Sequence, residues 1–127
     1  MYTMESLTYA DTVPYIPPIQ SGRVIKVYDG DTVTIGTLLG EKAYRFSVRM
    51  RGIDCYEMKG PHADKAKCAR DELSELVFHK VVTLKEVGYD KYGRILAEIY
   101  MNDLHVNQWM LTKGHAVPYF GGKRTVD

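Results

Sequence analysis

Arg23-Val24-Ile25-Lys26-Val27-Tyr28-Asp29-Gly30-Asp31-Thr32-Val33-Thr34-Ile35 is the stretch on which the fold is decided. Residues 23–28 are rich in β-branched and aromatic side chains, and residues 31–35 alternate polar with apolar. Asp29-Gly30 between them is a dipeptide suited to the tight turn of a hairpin. Two antiparallel strands are therefore expected. A second turn over residues 36–41 leads to a long strand candidate, residues 42–53, so the domain opens as a three-stranded meander.

Further along, the period changes. Ala63, Ala66, Ala69, Leu73, Leu76 and Val77 fall on one helical stripe within residues 62–80, with Lys, Arg, Asp and Glu elsewhere. Gly60-Pro61 just upstream suits a helix start. Residues 81–87 and 94–101 read as a fourth and fifth strand around a turn at 88–93, and residues 106–113 as a short helix closed by Gly114. The chain is thus mainly β with helices (α+β). Its order matches a five-stranded OB-fold Greek-key barrel with one longer and one short helix, an architecture that commonly binds nucleic acid or sugar on one face.

Composition sets the bounds. A chain of 127 residues suffices for one domain with a real core. Residues 1–20 hold three of the five prolines, two carboxylates (Glu5 and Asp11) and no lysine or arginine. With neither periodicity sustained, they read as a flexible N-terminal arm ahead of a domain over 21–127. The net charge of +1 does not mark a global polyanion binder, so any basic patch must be local. Cys55 and Cys68 are too few for a disulfide framework and lack zinc-site spacing, so free thiols in a reducing compartment are expected. No stretch is apolar enough to span a membrane, and the N-terminus lacks the pattern of a secretory signal; a cytoplasmic or nuclear location is the expectation.

The residues that carry chemistry lie at strand ends. Asp29-Gly30-Asp31 is first of all a turn, but Asp31 shares the parity of Val33 and Ile35, the inward row. A carboxylate there sits at the barrel rim and needs a partner, which a cation could supply. In Arg49-Met50-Arg51-Gly52-Ile53-Asp54-Cys55-Tyr56-Glu57, Asp54 continues the parity of Phe46, Val48 and Met50, whereas Arg49 opposes it. For Arg49 and Asp54 to converge the strand must bend or bulge, and Gly52 is the place for it. Asp90-Lys91-Tyr92-Gly93-Arg94 alone is an ordinary charged turn; read functionally, Arg94 begins a strand and aims at an anion. Together, two aspartates and a glutamate supply hard oxygens suited to Ca²⁺ or Mg²⁺. Two arginines supply planar forks matched to phosphate. That combination is what phosphodiester hydrolysis requires.

Four blocks carry a resemblance: residues 24–33, residues 49–57, residues 90–97, and residues 106–116. In this order and spacing the chain resembles the staphylococcal (thermonuclease-type) nuclease family, the TNase-like or SNc domain, over residues 21–120 or so. The resemblance implies an OB-fold barrel, one Ca²⁺ with Mg²⁺ as a substitute, and hydrolysis of DNA and RNA with little sequence preference, expelling the 5′-oxygen. By matching position, Asp31, Asp54 and the backbone carbonyl of Cys55 would hold the metal. Glu57 would act as general base on the attacking water, and Arg49 and Arg94 would bind the phosphate. Lys91 and Tyr92 would contact the nucleotide, as would an aromatic at Tyr119 or Phe120. Apart from the resemblance, Lys123 and Arg124 read equally as backbone contacts to nucleic acid or as a solvated basic tail.

The main departure is at Asp54-Cys55-Tyr56-Glu57, where many members read Asp-Thr-Pro-Glu. Cysteine is tolerable if only its carbonyl binds metal. Tyrosine removes a rigid φ that aims the glutamate, so a looser loop and lower turnover are expected. The rival readings are a catalytically silent nucleic-acid-binding OB-fold module and a β-barrel protein-interaction module with the ten tyrosines as its surface. Silent copies tend to lose carboxylates or arginines, and all five positions stand here. The expected partners are DNA or RNA, with no membrane, no obligate protein partner and a monomeric state.

Overall fold

The computed structural model describes residues 2–120; Lys123 and Arg124 lie outside them. The expected meander forms from β1 (Ser21–Asp29), β2 (Thr32–Leu39) and β3 (Lys42–Met50). The remaining elements are β4 (Ile53–Asp54), α1 (Ala63–Val77), β5 (Val81–Tyr89), β6 (Ile95–Met101), β7 (Leu104–His105), α2 (Val106–Thr112) and β8 (Val117–Pro118). The large sheet runs β3-β2-β1-β5-β6-β7, and β6 also pairs with β3. That parallel pairing closes β1, β2, β3, β5 and β6 into a barrel, the OB-fold order expected, with a longer and a shorter helix.

Inward rows fill the barrel: Val24, Val33, Ile35, Val48, Met50, Ala97 and Ile99 are buried. The α1 stripe buries Ala66, Ala69, Leu73 and Val77 against it, while α2 contributes Val106 and Met110. Helix α1 approaches closely because Gly30 has no side chain. A Cβ there would lie 2.7 Å from Cys55 Sγ and 2.9 Å from Ala69 Cβ. The arm carries two short 3₁₀ turns, Met4–Ser6 and Tyr9–Asp11, and is exposed through residue 16. Pro17 is buried and Ile19 joins the core. No helix among the described residues is long and apolar enough to cross a membrane.

Four boundaries differ from the sequence expectation, each with a local cause. Strand β2 runs through most of the turn expected over residues 36–41 and ends at Leu39, because Gly40 at φ 67° allows a tighter hairpin turn. The strand over residues 42–53 is broken at Arg51-Gly52, where Gly52 takes φ 82°. The carbonyls freed there find donors: Asn107 Nδ2 donates to Arg51 O at 2.8 Å, and Tyr119 N to Gly52 O at 2.8 Å. Strand β5 runs on to Tyr89 through a bulge between Lys85 and Gly88, where Glu86 has φ 54° and its carbonyl accepts two bonds from the Arg51 guanidinium. Helix α1 stops at Val77 because Phe78 is extended and His79 is left-handed.

Candidate active site

The β1–β2 turn and the break after β3 bring four charged side chains together. Thr32 pairs with Arg49 across β2 and β3, so the Asp29–Asp31 turn stands beside Arg49. The bend at Gly52 then returns the chain along β4, which places Asp54 against the same guanidinium. Arg49 Nη1 lies 3.3 Å from Asp31 Oδ2 and donates to Ile53 O at 3.0 Å, while Nη2 meets Asp54 Oδ1 at 3.3 Å. The convergence that alternation forbids on a regular strand is thus achieved by a glycine bend. Asp31, Arg49 and Asp54 are all buried.

Asp31 collects further donors: Cys55 N reaches its Oδ2 at 3.1 Å and Thr32 Oγ1 its Oδ1 at 3.0 Å. Burial pushes the Asp31 carboxyl up, but bonds from Asp29, the Arg49 charge and these donors outweigh it and hold it below the usual range. Asp29 goes the other way. Burial, then its contact with Asp31, raises it to about 7. Opposite shifts in two neighbouring carboxyls are the mark of a buried cluster with more carboxylates than cations. Cys55 is pushed up by burial and by the carboxylates around it, and its Sγ–H donates to His115 O at 3.3 Å. It stays a thiol, leaving its carbonyl as the oxygen it could offer.

Among the described residues, no three His, Cys, Asp or Glu side chains gather as a ready coordination shell. The donor set nevertheless fits a hard divalent cation. Asp31 and Asp54 carboxylates and the Cys55 carbonyl are oxygens, and surplus negative charge is what such an ion relieves.

A second group comes from the β5–β6 loop. Asp90 organises it: Oδ1 accepts from Tyr92 N and Arg94 N at 2.9 Å each, and Oδ2 from Arg94 Nε at 2.7 Å. Partial burial pushes the Asp90 carboxyl up, yet these bonds and the Arg94 charge hold it below the ordinary value. The ion pair uses Nε of Arg94, so its two Nη groups are not consumed by it. Tyr92 is exposed, with Lys91 Nζ 5.3 Å and Arg94 Cζ 5.6 Å from its ring centroid. Leu96 pairs with Arg49 across β6 and β3, which sets this loop against the first group.

Arg49, Asp54, Lys91, Tyr92, Arg94 and Tyr119 line one cavity of about 700 Å³. Tyr119 is set there by the pairing of β4 with β8, and its ring centroid is 5.9 Å from Arg49 Cζ. Asp31 and Cys55 are not among the cavity's lining residues; Asp31 contacts Arg49 and the Cys55 amide. Glu57 is exposed on the loop after β4, where its carbonyl accepts from Gly60 N at 3.2 Å, and it is not among the residues lining the cavity. Tyr56 packs on His62, ring centroids 4.6 Å apart, with Lys65 Nζ 5.3 Å away, so this loop is pinned to the start of α1 by side chains.

Three residues of the site escaped sequence reasoning. Asp29 looked like half of a turn, although an Asp-X-Asp pair at a strand end was a usable signal. Asp90 lies four residues before Arg94, a spacing that marks the pair. Buried Asn107 receives Ile99 N at 2.9 Å and holds the Arg51 carbonyl, bracing the bend; nothing in its local sequence announces this.

With that geometry in place, comparison with known proteins is informative. Residues 47–126 match the family described as staphylococcal nuclease homologue, a span that includes Arg49, Asp54, Glu57 and Arg94. A protein of Escherichia coli named "Uncharacterized endonuclease" is 38% identical over 99 residues, covering 77% of this chain and 60% of that protein. One of Haemophilus influenzae with the same name is 38% identical over 97 residues, covering 76% and 51%. "Staphylococcal-like nuclease CAN1" of Arabidopsis thaliana is 39% identical over 77 residues, covering 61% and 23%. This chain therefore spans only part of the length of these relatives. By its fold, its residues and this match, the chain belongs to the staphylococcal nuclease homologue family.

Proposed function

We propose that the chain is a Ca²⁺-dependent nuclease that hydrolyses phosphodiester bonds of DNA or RNA with little sequence preference. The observation that carries this reading is one cavity whose lining includes the guanidinium groups of Arg49 and Arg94 together with Asp54, where Arg49 also pairs with Asp31 in a cluster with surplus carboxylate. The names of the relatives support it.

In this reading Arg49 and Arg94 grip the non-bridging oxygens of the scissile phosphate and stabilise charge as it grows there. Glu57, on the loop that follows Asp54 and Cys55, accepts the proton of the attacking water. Asp31, Asp54 and the Cys55 carbonyl would hold Ca²⁺, with Mg²⁺ as a substitute; when bound it adds Lewis-acid stabilisation of the phosphate. Lys91, Tyr92 and Tyr119 contact the nucleotide through charge and ring faces. Those contacts read phosphate and π-surface, which every nucleotide has, so weak sequence preference follows.

The test is incubation with single- and double-stranded DNA and with RNA in Ca²⁺, Mg²⁺ or chelator. Cleavage in Ca²⁺, abolished by chelator and by Glu57→Gln, is expected. Cleavage that persists in chelator, or is indifferent to Glu57→Gln, would overturn the assignment. Binding without cleavage in any metal would identify a silent nucleic-acid-binding module instead.

A further inference from the structure

We propose that the outward face of β1, β2 and β3 is a track for the phosphate backbone of a single nucleic-acid strand, leading away from Arg49 toward Arg45 and Arg23. The proposal rests on the nuclease reading of the adjoining cavity.

Strand alternation alone would not build this face. Counting outward from Arg23, it would place Ile25 and Val27 outside and Lys26 inside. Two register slips in β1, between Val24 and Lys26 and between Val27 and Asp29, change that. Lys26 comes opposite Thr34, and Asp29 opposite Thr32. Strands β2 and β3 pair without a slip, so Arg45, Ser47 and Arg49 share the same outward face. Three rows result. Asp29 and Thr32 stand beside Arg49 at the site; Lys26 and Thr34 stand beside Ser47; Arg23 and Gly36 stand beside Arg45.

Successive rows are two residues apart, about 6.6 Å at roughly 3.3 Å per residue, a step on the scale of one nucleotide in an extended strand. A surface groove of about 480 Å³ lies on this face, lined by Ile25, Lys26, Thr34, Arg45 and Ser47. It offers two cations, two hydroxyls and an apolar floor, and none of its lining residues is a carboxylate. Gly36 supplies no wall of its own, and Ile25 lies over it, with Cδ1 3.5 Å from where a Cβ would be. Tyr28 beside the track is 62% exposed, with Lys26 Nζ 5.8 Å from its ring centroid. An exposed ring next to a cationic groove suits an unpaired base, since a duplex keeps its base faces stacked. In a chain of net charge +1, this is the local basic patch that a polyanion needs.

Binding of labelled oligothymidylates of two and of twelve nucleotides, followed by fluorescence anisotropy across a salt series in chelator, tests the track without cleavage. The wild type is expected to bind the longer strand more tightly and with a steeper salt dependence. Lys26→Ala/Arg45→Ala, at two exposed positions, should flatten the logarithmic salt slope for the longer strand by about 1.4, at about 0.7 per lost contact. Lys67→Ala/Lys113→Ala, which removes equal charge from α1 and from the residue that caps α2, should keep the wild-type slope; thermal melts of both variants verify folding. A slope unchanged in the first variant, or lost equally in the second, would overturn the track. The nuclease reading is judged separately by cleavage. Length-dependent binding lost in the first variant, by a protein that cuts nothing, would keep the track and remove the nuclease.

Discussion

Arg49 and Arg94 line the same cavity, yet the protein holds them in opposite ways. Arg49 is buried, bonded to two carboxylates and two carbonyls, and fixed between β2, β3 and β4. Arg94 sits at the start of β6, its side chain 35% exposed, tied to one aspartate four residues back in the same loop. The first arginine is part of the fold's electrostatics as well as of the site. The second belongs to the site and little else. A single cavity therefore has a rigid wall whose chemistry and stability are coupled, and an adaptable wall whose chemistry can be altered without loss of fold.

The largest effect that could break this contrast is Arg49→Ala. It leaves Asp31 and Asp54 buried without their cation and should destabilise by about 3–5 kcal/mol. Denaturant unfolding in chelator measures it, and cleavage should be lost as well. A stability within about 0.5 kcal/mol of wild type, the range of ordinary surface changes, would place Arg49 in the same class as Arg94. Glu57→Gln sharpens the other side. The residue is exposed, so melting should not change, while the cleavage rate should fall by about 10²–10⁴-fold, the usual contribution of a general base.

Gly30→Ala probes the rigid wall without touching charge. The added methyl meets Cys55 Sγ and Ala69 Cβ closer than van der Waals contact allows, and overpacking of this kind costs about 1–3 kcal/mol. Thermal melts should show the loss. The smallest effect concerns acid and the adaptable wall. Asp90 is held below its ordinary value of 3.8, so its stabilising bonds are fully present above that pH and are lost as pH falls through its lower folded value. Exchange protection of the Tyr92 and Arg94 amides should drop in that window, and Asp90→Asn should remove the pH dependence.

Much of this was legible in the sequence, for identifiable reasons. The barrel order was legible because β2 and β6 alternate, β1 is rich in β-branched and aromatic residues, and the α1 stripe is clean. The bend that joins Arg49 to Asp54 was legible because parity forbade their meeting and Gly52 was the one residue placed to allow it. What pattern could not reveal depends on pairing between distant segments. The two bulges of β1 depend on its match to β2, and the Asn107 brace depends on α2 docking beneath β6. Tyr56 illustrates the same limit. Missing a proline, its loop reads as loose, whereas the ring packs on His62 and supplies a different restraint. Asp29 was hidden for another reason. Its raised titration depends on burial and Asp31 together, and neither is visible one residue at a time.

The most direct test of the central claim is the initial rate of single-stranded DNA cleavage in Ca²⁺ by Arg94→Ala, measured beside its melting temperature. A rate reduced by about 10²–10³-fold, as for loss of one donor to developing charge, with melting unchanged, is the predicted result. Cleavage at the wild-type rate by the folded variant would contradict the assignment of this cavity as the nuclease site.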